Sequence, residues 1–178
     1  MNYKELFLLI SRYIALVLLA INGLYLFYFV FTPLTLYPVY FILNNIYTNL
    51  TLNVGLSSIV AGEKSIVLVQ ACIAGAAYYL LLILNLTTPM SLKTRIKSIV
   101  FLVLTFLFLN ILRIVIFSVL FFNGAGNYFD LAHKLVWYAG STALIVVLWF
   151  ANVRVFNLHT IPVYTDWKSI FEEIFKRR

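Results

Sequence analysis

Cysteine, acidic residues and charge in general are scarce in this sequence. Its 178 residues include one cysteine and six Asp or Glu residues, and charged residues make up 11% of the chain. A single cysteine excludes an intrachain disulfide and any zinc site built from several thiolates. So little charge excludes an ordinary soluble domain. The 63% hydrophobic content instead provides apolar runs of about twenty residues, which is the length of a transmembrane helix.

The apolar runs predict an all-α polytopic membrane protein, a single domain over residues 1–178 with a bundle of four to five transmembrane helices. The core is expected at 68–150, followed by a cytoplasmic tail at 151–178. Spans are predicted, from the length and position of the runs, at 13–31, 71–90, 98–122 and 131–150.

Two connecting stretches have a different character from the spans. Pro33 and Pro38 interrupt the helix pattern, so 34–47 is interpreted as a re-entrant or interfacial helix, or as a thin fifth span. Polar and β-branched residues dominate 48–69, where alternating apolar residues and a turn at Gly62-Glu63-Lys64 predict a small extracytoplasmic hairpin. The hairpin leads directly into the second span.

Basic residues set the predicted orientation and exclude nucleic acid as the reason for the net charge of +7. Ten of the thirteen Lys and Arg residues fall at one end of the predicted bundle, which the positive-inside rule makes cytoplasmic: Lys4, Arg12, Lys93, Arg95, Lys97, Arg154, Lys168, Lys176, Arg177 and Arg178. Apolar residues at helical spacing in the tail predict a C-terminal amphipathic helix on an anionic membrane surface: Trp167, Ile170, Phe171, Ile174 and Phe175.

Cys72 stands at the head of the second predicted span. A helix that starts at about Ala71 places the thiol in its first turn, where unpaired backbone N–H groups and the helix dipole favour the thiolate. The thiolate is the nucleophilic form of cysteine. A lone cysteine among small residues in a membrane helix is also a common packing residue, and Cys72 alone does not separate these two interpretations.

Arg113 is a charge inside the third predicted span, where insertion costs roughly 2.5–3.5 kcal/mol. Asn110 lies one turn earlier on the same face and is expected to orient the guanidinium. Counted from Phe122, Arg113 lies about 13 Å down the helix, so it must reach upward to meet a group at the outer surface. An arginine that snorkels and holds helices together is the structural alternative.

His133 is expected in the first turn of the fourth span, behind Asp130 as the N-cap. A helix N-terminus disfavours the imidazolium, so the neutral ring can accept a thiol proton. The predicted topology puts Cys72, Arg113 and His133 at the same extracytoplasmic end of the bundle. A nucleophile, a base and a cation are the groups that acyl transfer through a thioester requires.

Three short motifs follow one another along the predicted core: Ala71-Cys72-Ile73-Ala74-Gly75, Asn110-Ile111-Leu112-Arg113-Ile114 and Asp130-Leu131-Ala132-His133. In order and spacing they resemble those of the exosortase/archaeosortase membrane transpeptidases. The likeness covers roughly residues 68–149 and identifies the chain as a short member. The family commonly has a small hydroxyl residue and then glycine directly after the cysteine, whereas Ile73-Ala74 precede Gly75 in this chain.

The resemblance implies a cysteine transpeptidase of the thiol protease class. Its catalytic set would be Cys72 as nucleophile with Arg113 and His133, supported by Asn110, Gly75 and Asp130. The implied substrates are exported proteins that end in a short motif, a transmembrane helix and a basic tail. They would be cleaved at the extracytoplasmic face and passed to a lipid or another envelope acceptor. No cofactor or metal is expected.

Two other functions stay open at this point. A non-catalytic membrane subunit or a small transporter would use Asn110 and Arg113 to line a polar path. A lipid-directed acyltransferase would use similar thioester chemistry and would differ only in its acceptor. Reaction of Cys72 with a membrane-impermeant thiol reagent would distinguish an accessible nucleophile from a packing cysteine.

Overall fold

The computed structural model describes residues 3–124 and 136–158, which are mostly helical and include one small β-sheet. The helices are α1 (Tyr3–Ala20), α2 (Tyr25–Asn44), α3 (Gln70–Ile73), α4 (Gly75–Leu86), α5 (Leu92–Phe122) and α6 (Ser141–Val155). The strands are β1 (Leu50–Asn53), β2 (Ser58–Ala61) and β3 (Lys64–Val67), and a π-helical turn (Val136–Gly140) leads into α6. The predicted C-terminal amphipathic helix and the start of the fourth span lie outside the described residues.

The first predicted span, 13–31, is wrong in its bounds. α1 ends at Ala20, and three consecutive residues in the left-handed conformation, Asn22 to Leu24, separate it from α2. Asn and Gly adopt this conformation more readily than other residues, so a turn forms inside the apolar run. α2 then continues through Pro33 and Pro38, because its packing against α4 and α5 outweighs the backbone hydrogen bonds that the prolines remove. The separate element predicted at 34–47 is therefore the second half of α2.

The predicted hairpin at 48–69 is a three-stranded antiparallel sheet with the order β1-β2-β3. The alternating apolar residues form β1, and Gly62-Glu63 form the turn between β2 and β3, as predicted. β2 was not predicted as a separate strand, although it has the same length as β1 and β3. The sheet is tied to the end of α5, since Lys64 Nζ donates a hydrogen bond of 2.8 Å to the Phe122 carbonyl.

Contacts along the helices fix their directions. Arg12 Nη1 donates to the carbonyl of Leu86 at the end of α4, at 3.1 Å, whereas the Tyr78 ring near the start of α4 stacks on Phe31 with centroids 3.7 Å apart. α4 therefore runs antiparallel to α1 and α2. The connection at 87–91 lies at the end of the helix bundle where α1 begins. The sheet lies at the opposite end, together with the last turn of α5.

Three fully buried polar residues, which we call the amide cluster, join α4, α5 and α6 near the end opposite the sheet. Asn85 Nδ2 donates to Ser98 Oγ at 2.6 Å, and Ser98 Oγ donates to Asn152 Oδ1 at 2.8 Å. Beside them, the buried guanidinium of Arg95 donates to the carbonyls of Asn85 and Thr88 at 2.7 and 3.0 Å. These bonds satisfy carbonyls at the C-terminal end of α4 and fix how the three helices pack.

Two apolar helical stretches, Leu9–Asn44 and Leu92–Phe122, are long enough to cross a membrane by length and composition. The first includes the left-handed turn between α1 and α2. α4 and α6 have 12 and 15 residues, fewer than the about twenty that a perpendicular crossing needs. The described residues thus contain two candidate spans, and the predicted four or five are not all present as full-length helices.

The outward face of α5 is apolar along its whole length. Every fourth residue is a large hydrophobic residue with 39–72% of its surface exposed: Leu92, Ile96, Val100, Leu104, Phe108, Leu112, Ile116 and Leu120. A continuous exposed stripe of this kind is typical of a surface that contacts lipid or another apolar partner. The opposite face carries buried polar residues, among them Ser98 and Asn110, and packs against the other helices.

Candidate active site

Cys72 lies in α3, a single helical turn between β3 and α4. Its backbone N–H donates to the carbonyl of Val69 at 2.8 Å. The turn ends at Ala74, which has a φ of 60°, a left-handed conformation that is unusual for a residue other than Gly or Asn. The Cys72 side chain is partly buried against the core, so the thiol is neither fully enclosed nor fully exposed.

The predicted continuous helix from Ala71 to Met90 is wrong in a respect that matters for the thiol. The break at Ala74 separates the Cys72 turn from α4, so the dipole of a long helix does not act on the sulfur. The macrodipole is a sum over aligned peptide units, and a four-residue helix contributes little. Charge stabilisation of a Cys72 thiolate must therefore come from neighbouring side chains.

The break at Ala74 also frees the carbonyl of Cys72, which in a continuous helix would accept a bond from the next turn. Asn110 of α5 satisfies this carbonyl, with its Nδ2 donating at 2.9 Å. Asn110 is only 1% exposed, so its amide is held in place by the core. This bond sets Cys72 at the level of Asn110, about 18 Å down α5 from Phe122, and not at the outer end of the helix as predicted.

Arg113 follows Asn110 by one turn of α5, and its guanidinium lies close enough to Cys72 for an electrostatic interaction. Nη1 of Arg113 donates to Ser141 Oγ at 2.8 Å, and Ser141 Oγ donates to the carbonyl of Val136 at 3.3 Å. The prediction that Asn110 orients the guanidinium is wrong, because Asn110 bonds to the Cys72 carbonyl and Ser141 holds Arg113. Because Cys72 lies at the level of Asn110, the Arg113 side chain does not have to extend toward the outer surface to approach it.

Four residues therefore meet where α3, α5 and α6 come together, and we call them the thiol cluster: Cys72, Asn110, Arg113 and Ser141. The sequence did predict that the first three belong together. It missed Ser141, the first residue of α6. The available signal was a hydroxyl residue directly after Gly140 in an otherwise apolar run, which is a weak signal without knowledge of the π-helical turn that precedes it.

Gly75, predicted as a supporting residue, is a point of close approach between α4 and α2. A Cβ at this position would lie 2.8 Å from Cε1 and 2.9 Å from Cζ of Tyr28. Such distances are too short for a real Cβ contact, so a larger residue would push the Tyr28 ring or α4 aside. Gly75 thus contributes by letting α4 pack directly after the Cys72 turn.

An open groove of about 380 Å³ runs beside Arg113 between α5 and α6. Its walls are apolar, and its polar groups come from Arg113 and Ser141. The apolar lining includes Leu109, Leu112, Ile116, Phe117 and Leu144. A ligand in this groove would therefore be mainly apolar, with a carbonyl or anionic oxygen at the level of the guanidinium.

The predicted base, His133, and its capping residue, Asp130, lie outside the described residues, as do the other residues between Gly124 and Val136. The thiol cluster therefore contains two of the three predicted catalytic residues, the nucleophile Cys72 and the cation Arg113. Within residues 3–124 and 136–158, no group of three or more His, Cys, Asp or Glu side chains has the arrangement of a metal site.

Comparisons with known proteins give no independent information on this site. No protein-family model, no curated protein and no solved structure matches the chain at a significant level. The likeness to the exosortase/archaeosortase family consequently depends on the three short motifs in the sequence.

Proposed function

We propose that the protein is a membrane-embedded cysteine transpeptidase of the exosortase/archaeosortase type, which cleaves exported proteins through a thioester on Cys72. The observation that carries this proposal is the hydrogen bond from Asn110 to the Cys72 carbonyl. It ties the single thiol of the chain to the stretch of α5 that bears Arg113. A thiol and a guanidinium within electrostatic range are two of the three groups that the chemistry requires.

In the proposed reaction, Cys72 Sγ attacks the carbonyl carbon of the scissile peptide bond while its proton passes to His133. The tetrahedral oxyanion that forms is stabilised by the Arg113 guanidinium, which Ser141 holds in place. His133 returns the proton to the departing amine as the C–N bond breaks, and the acyl group stays on sulfur as a thioester. An acceptor nucleophile then attacks the thioester carbon as its proton passes to His133, and the C–S bond breaks. The released thiolate takes this proton back from His133, which restores the resting thiol.

The groove between α5 and α6 supports an apolar substrate. Its lining is apolar except at Arg113 and Ser141, so a ligand lying there would present an oxygen at the level of the guanidinium. In our proposal this ligand is an exported protein whose C-terminal transmembrane helix lies against the bundle and whose basic tail stays at the cytoplasmic surface. A membrane lipid is a candidate acceptor.

The proposed location is the cell membrane, with four or five membrane segments, the sheet on the extracytoplasmic side and the C-terminus in the cytoplasm. Support for this orientation comes from the clustering of basic residues at the end opposite the sheet. The predicted span at 98–122 has Asn110 at its middle and Arg113 in its outer half. In our proposal, the groove between α5 and α6 is the route by which a peptide carbonyl reaches them.

The proposal is tested by comparing cells that carry the wild-type chain with cells that carry Cys72→Ala. The C-terminal peptides of exported proteins ending in an apolar helix and basic residues are quantified by mass spectrometry. We expect these C-termini to be removed in the wild type and retained in Cys72→Ala, because the variant has no nucleophile. The membrane level of the enzyme should be the same in both.

Ala71→Ser is the matched control, since it changes an exposed neighbour in the same turn and leaves the thiol. It should process the same C-termini as the wild type. Continued processing in Cys72→Ala cells would overturn the proposal and favour a non-catalytic membrane subunit.

A further inference from the structure

β3 is an edge strand that leads directly to Cys72. Among residues 3–124 and 136–158 it pairs with β2 alone, and Lys64, Ser65 and Val67 are exposed. The N–H of Leu68 donates to the carbonyl of Ser57 at 2.9 Å, so Leu68 and Ser57 form a pair of the hydrogen-bonded type in the antiparallel ladder. Pairs of this type alternate along an antiparallel ladder. The backbone N–H and C=O groups of Ser65 and Val67 must therefore point away from β2, toward the open edge.

The two edges of the sheet differ in how their backbone groups are satisfied. By the same alternation the carbonyl of Leu50 points outward from β1, and it accepts a hydrogen bond from Tyr40 Oη of α2 at 3.4 Å. Within residues 3–124 and 136–158, no such bond is made to the outward backbone groups of Ser65 and Val67. An edge with alternating unpaired donors and acceptors is a template for an added strand.

The position of this edge connects it to the thiol cluster. Two residues, Leu68 and Val69, link the end of β3 to the turn that carries Cys72. At about 3.3 Å per residue, a strand paired with Val67 needs only three or four further extended residues to reach the sulfur. Leu68 is buried and bonded to Ser57, so the end of the strand is fixed relative to the sheet. Val67 and Val69 are 51% and 53% exposed and offer apolar surface for alternate side chains of a bound peptide.

We propose that the open edge of β3 binds the substrate as an added fourth strand and thereby delivers the scissile carbonyl to Cys72. This inference rests on the proposed function and names its substrate as an extended polypeptide segment. Main-chain hydrogen bonds from Ser65 and Val67 hold the peptide regardless of most of its side chains. The added strand leaves specificity to the few residues nearest the thiol.

The test uses the full chain, purified in lipid nanodiscs, and compares three alkylating probes that share one warhead. The probes are an N-acetyl hexapeptidyl chloromethyl ketone, which is long enough to pair with β3 and reach the sulfur, the same hexapeptide with N-methylated backbone nitrogens, and chloroacetone. In each case Sγ forms a bond to the methylene carbon and chloride leaves, and the mass of the intact protein reports labelling because Cys72 is the only cysteine. We expect the hexapeptidyl probe to label at least tenfold faster than the other two.

Val67→Pro removes one outward N–H and no bond to β2, and proline is tolerated in an edge strand at such a position. It should lower the rate with the hexapeptidyl probe to that of the N-methylated probe while leaving the rate with chloroacetone unaffected. Val67→Ala keeps the N–H and shortens only the side chain, so as the matched control it should still label faster with the unmethylated peptide probe than with the N-methylated one. If thermal unfolding shows that Val67→Pro is misfolded, the N-methylated probe on the wild-type protein decides the matter alone.

The outcomes separate this inference from the proposed function. Equal labelling of wild-type Cys72 by all three probes overturns the role of β3 and leaves the nucleophile standing. Failure of Cys72 to react with any probe overturns the proposed function and the role of β3 together. Faster labelling by the hexapeptidyl probe, abolished in Val67→Pro, supports both the role of β3 and the proposed function.

Discussion

The thiol cluster and the amide cluster both join α5 to neighbouring helices, but they differ in how far their side chains are exposed. Both use polar side chains of α5 to join neighbouring helices, with Ser98 and Asn110 twelve positions apart, about 18 Å. The three residues of the amide cluster are 0% exposed and uncharged. In the thiol cluster only Asn110 is fully buried, whereas Cys72, Arg113 and Ser141 are partly exposed.

This difference indicates what each cluster does. The two hydrogen bonds of the amide cluster join α4, α5 and α6 in an apolar environment, although Asn85 Oδ1 and Asn152 Nδ2 have no partner among the described residues. Packing alone does not require a partly exposed thiol to lie near a guanidinium. A charged side chain inside an apolar bundle also carries a large free-energy cost. We therefore expect substitutions in the amide cluster to change the stability of the protein, and substitutions in the thiol cluster to change the proposed processing activity.

Arg113→Lys should have the largest effect. Processing of exported C-termini should fall by two orders of magnitude or more, about 2.7 kcal/mol in transition-state free energy. A lysine keeps the charge, but its ammonium lacks the planar fork needed to bond to Ser141 and face the oxyanion together. Processing is measured by mass spectrometry of C-terminal peptides, and the thermal midpoint of the purified variant is measured beside it.

Arg95→Lys is the matched control for that experiment, since it makes the same change next to the amide cluster. It should lower the thermal midpoint, because a lysine cannot span the carbonyls of both Asn85 and Thr88. Processing per folded molecule should stay within about twofold of the wild type. Full processing by Arg113→Lys, or loss of processing by folded Arg95→Lys, would break the division between the two clusters.

Ser98→Ala should destabilise the protein by about 1 kcal/mol, the usual scale for a polar contact between membrane helices. The substitution leaves the Asn85 and Asn152 amides without the hydroxyl that joins them. Ser118→Ala is the control, because Ser118 is also buried on α5 but lies outside the amide cluster. Unfolding midpoints in detergent provide the measurement, and equal midpoints for the two variants would remove the structural role assigned to the amide cluster.

The apolar pattern of the sequence was enough to predict the parts of the fold that depend on composition. It predicted the end of α5 at Phe122, the strand β1 and the turn at Gly62-Glu63. It did not predict the breaks at Asn22–Leu24 and Ala74. Ala74 is by propensity a good helix former, so its residue type did not indicate the left-handed conformation that it adopts.

The candidate site, like the fold, could be predicted only in part from the sequence. Residue type and order along the chain were enough to group Cys72, Asn110 and Arg113. Their contacts were not predictable, because the bond from Asn110 exists only where the helix breaks and frees the Cys72 carbonyl. Ser141 was missed for a related reason, since its position against Arg113 depends on the π-helical turn before α6.

Ser141→Ala should have the smallest effect and sharpen the comparison most. Without the hydroxyl, the Arg113 guanidinium keeps its charge but loses the bond that positions it, so processing should fall about three- to tenfold. Ser141→Thr retains the hydroxyl and should restore most of the activity, while the thermal midpoints of both variants stay near that of the wild type. A threonine variant as slow as the alanine variant would mean that Ser141 acts through packing, and Arg113 would then depend on some other group for its orientation.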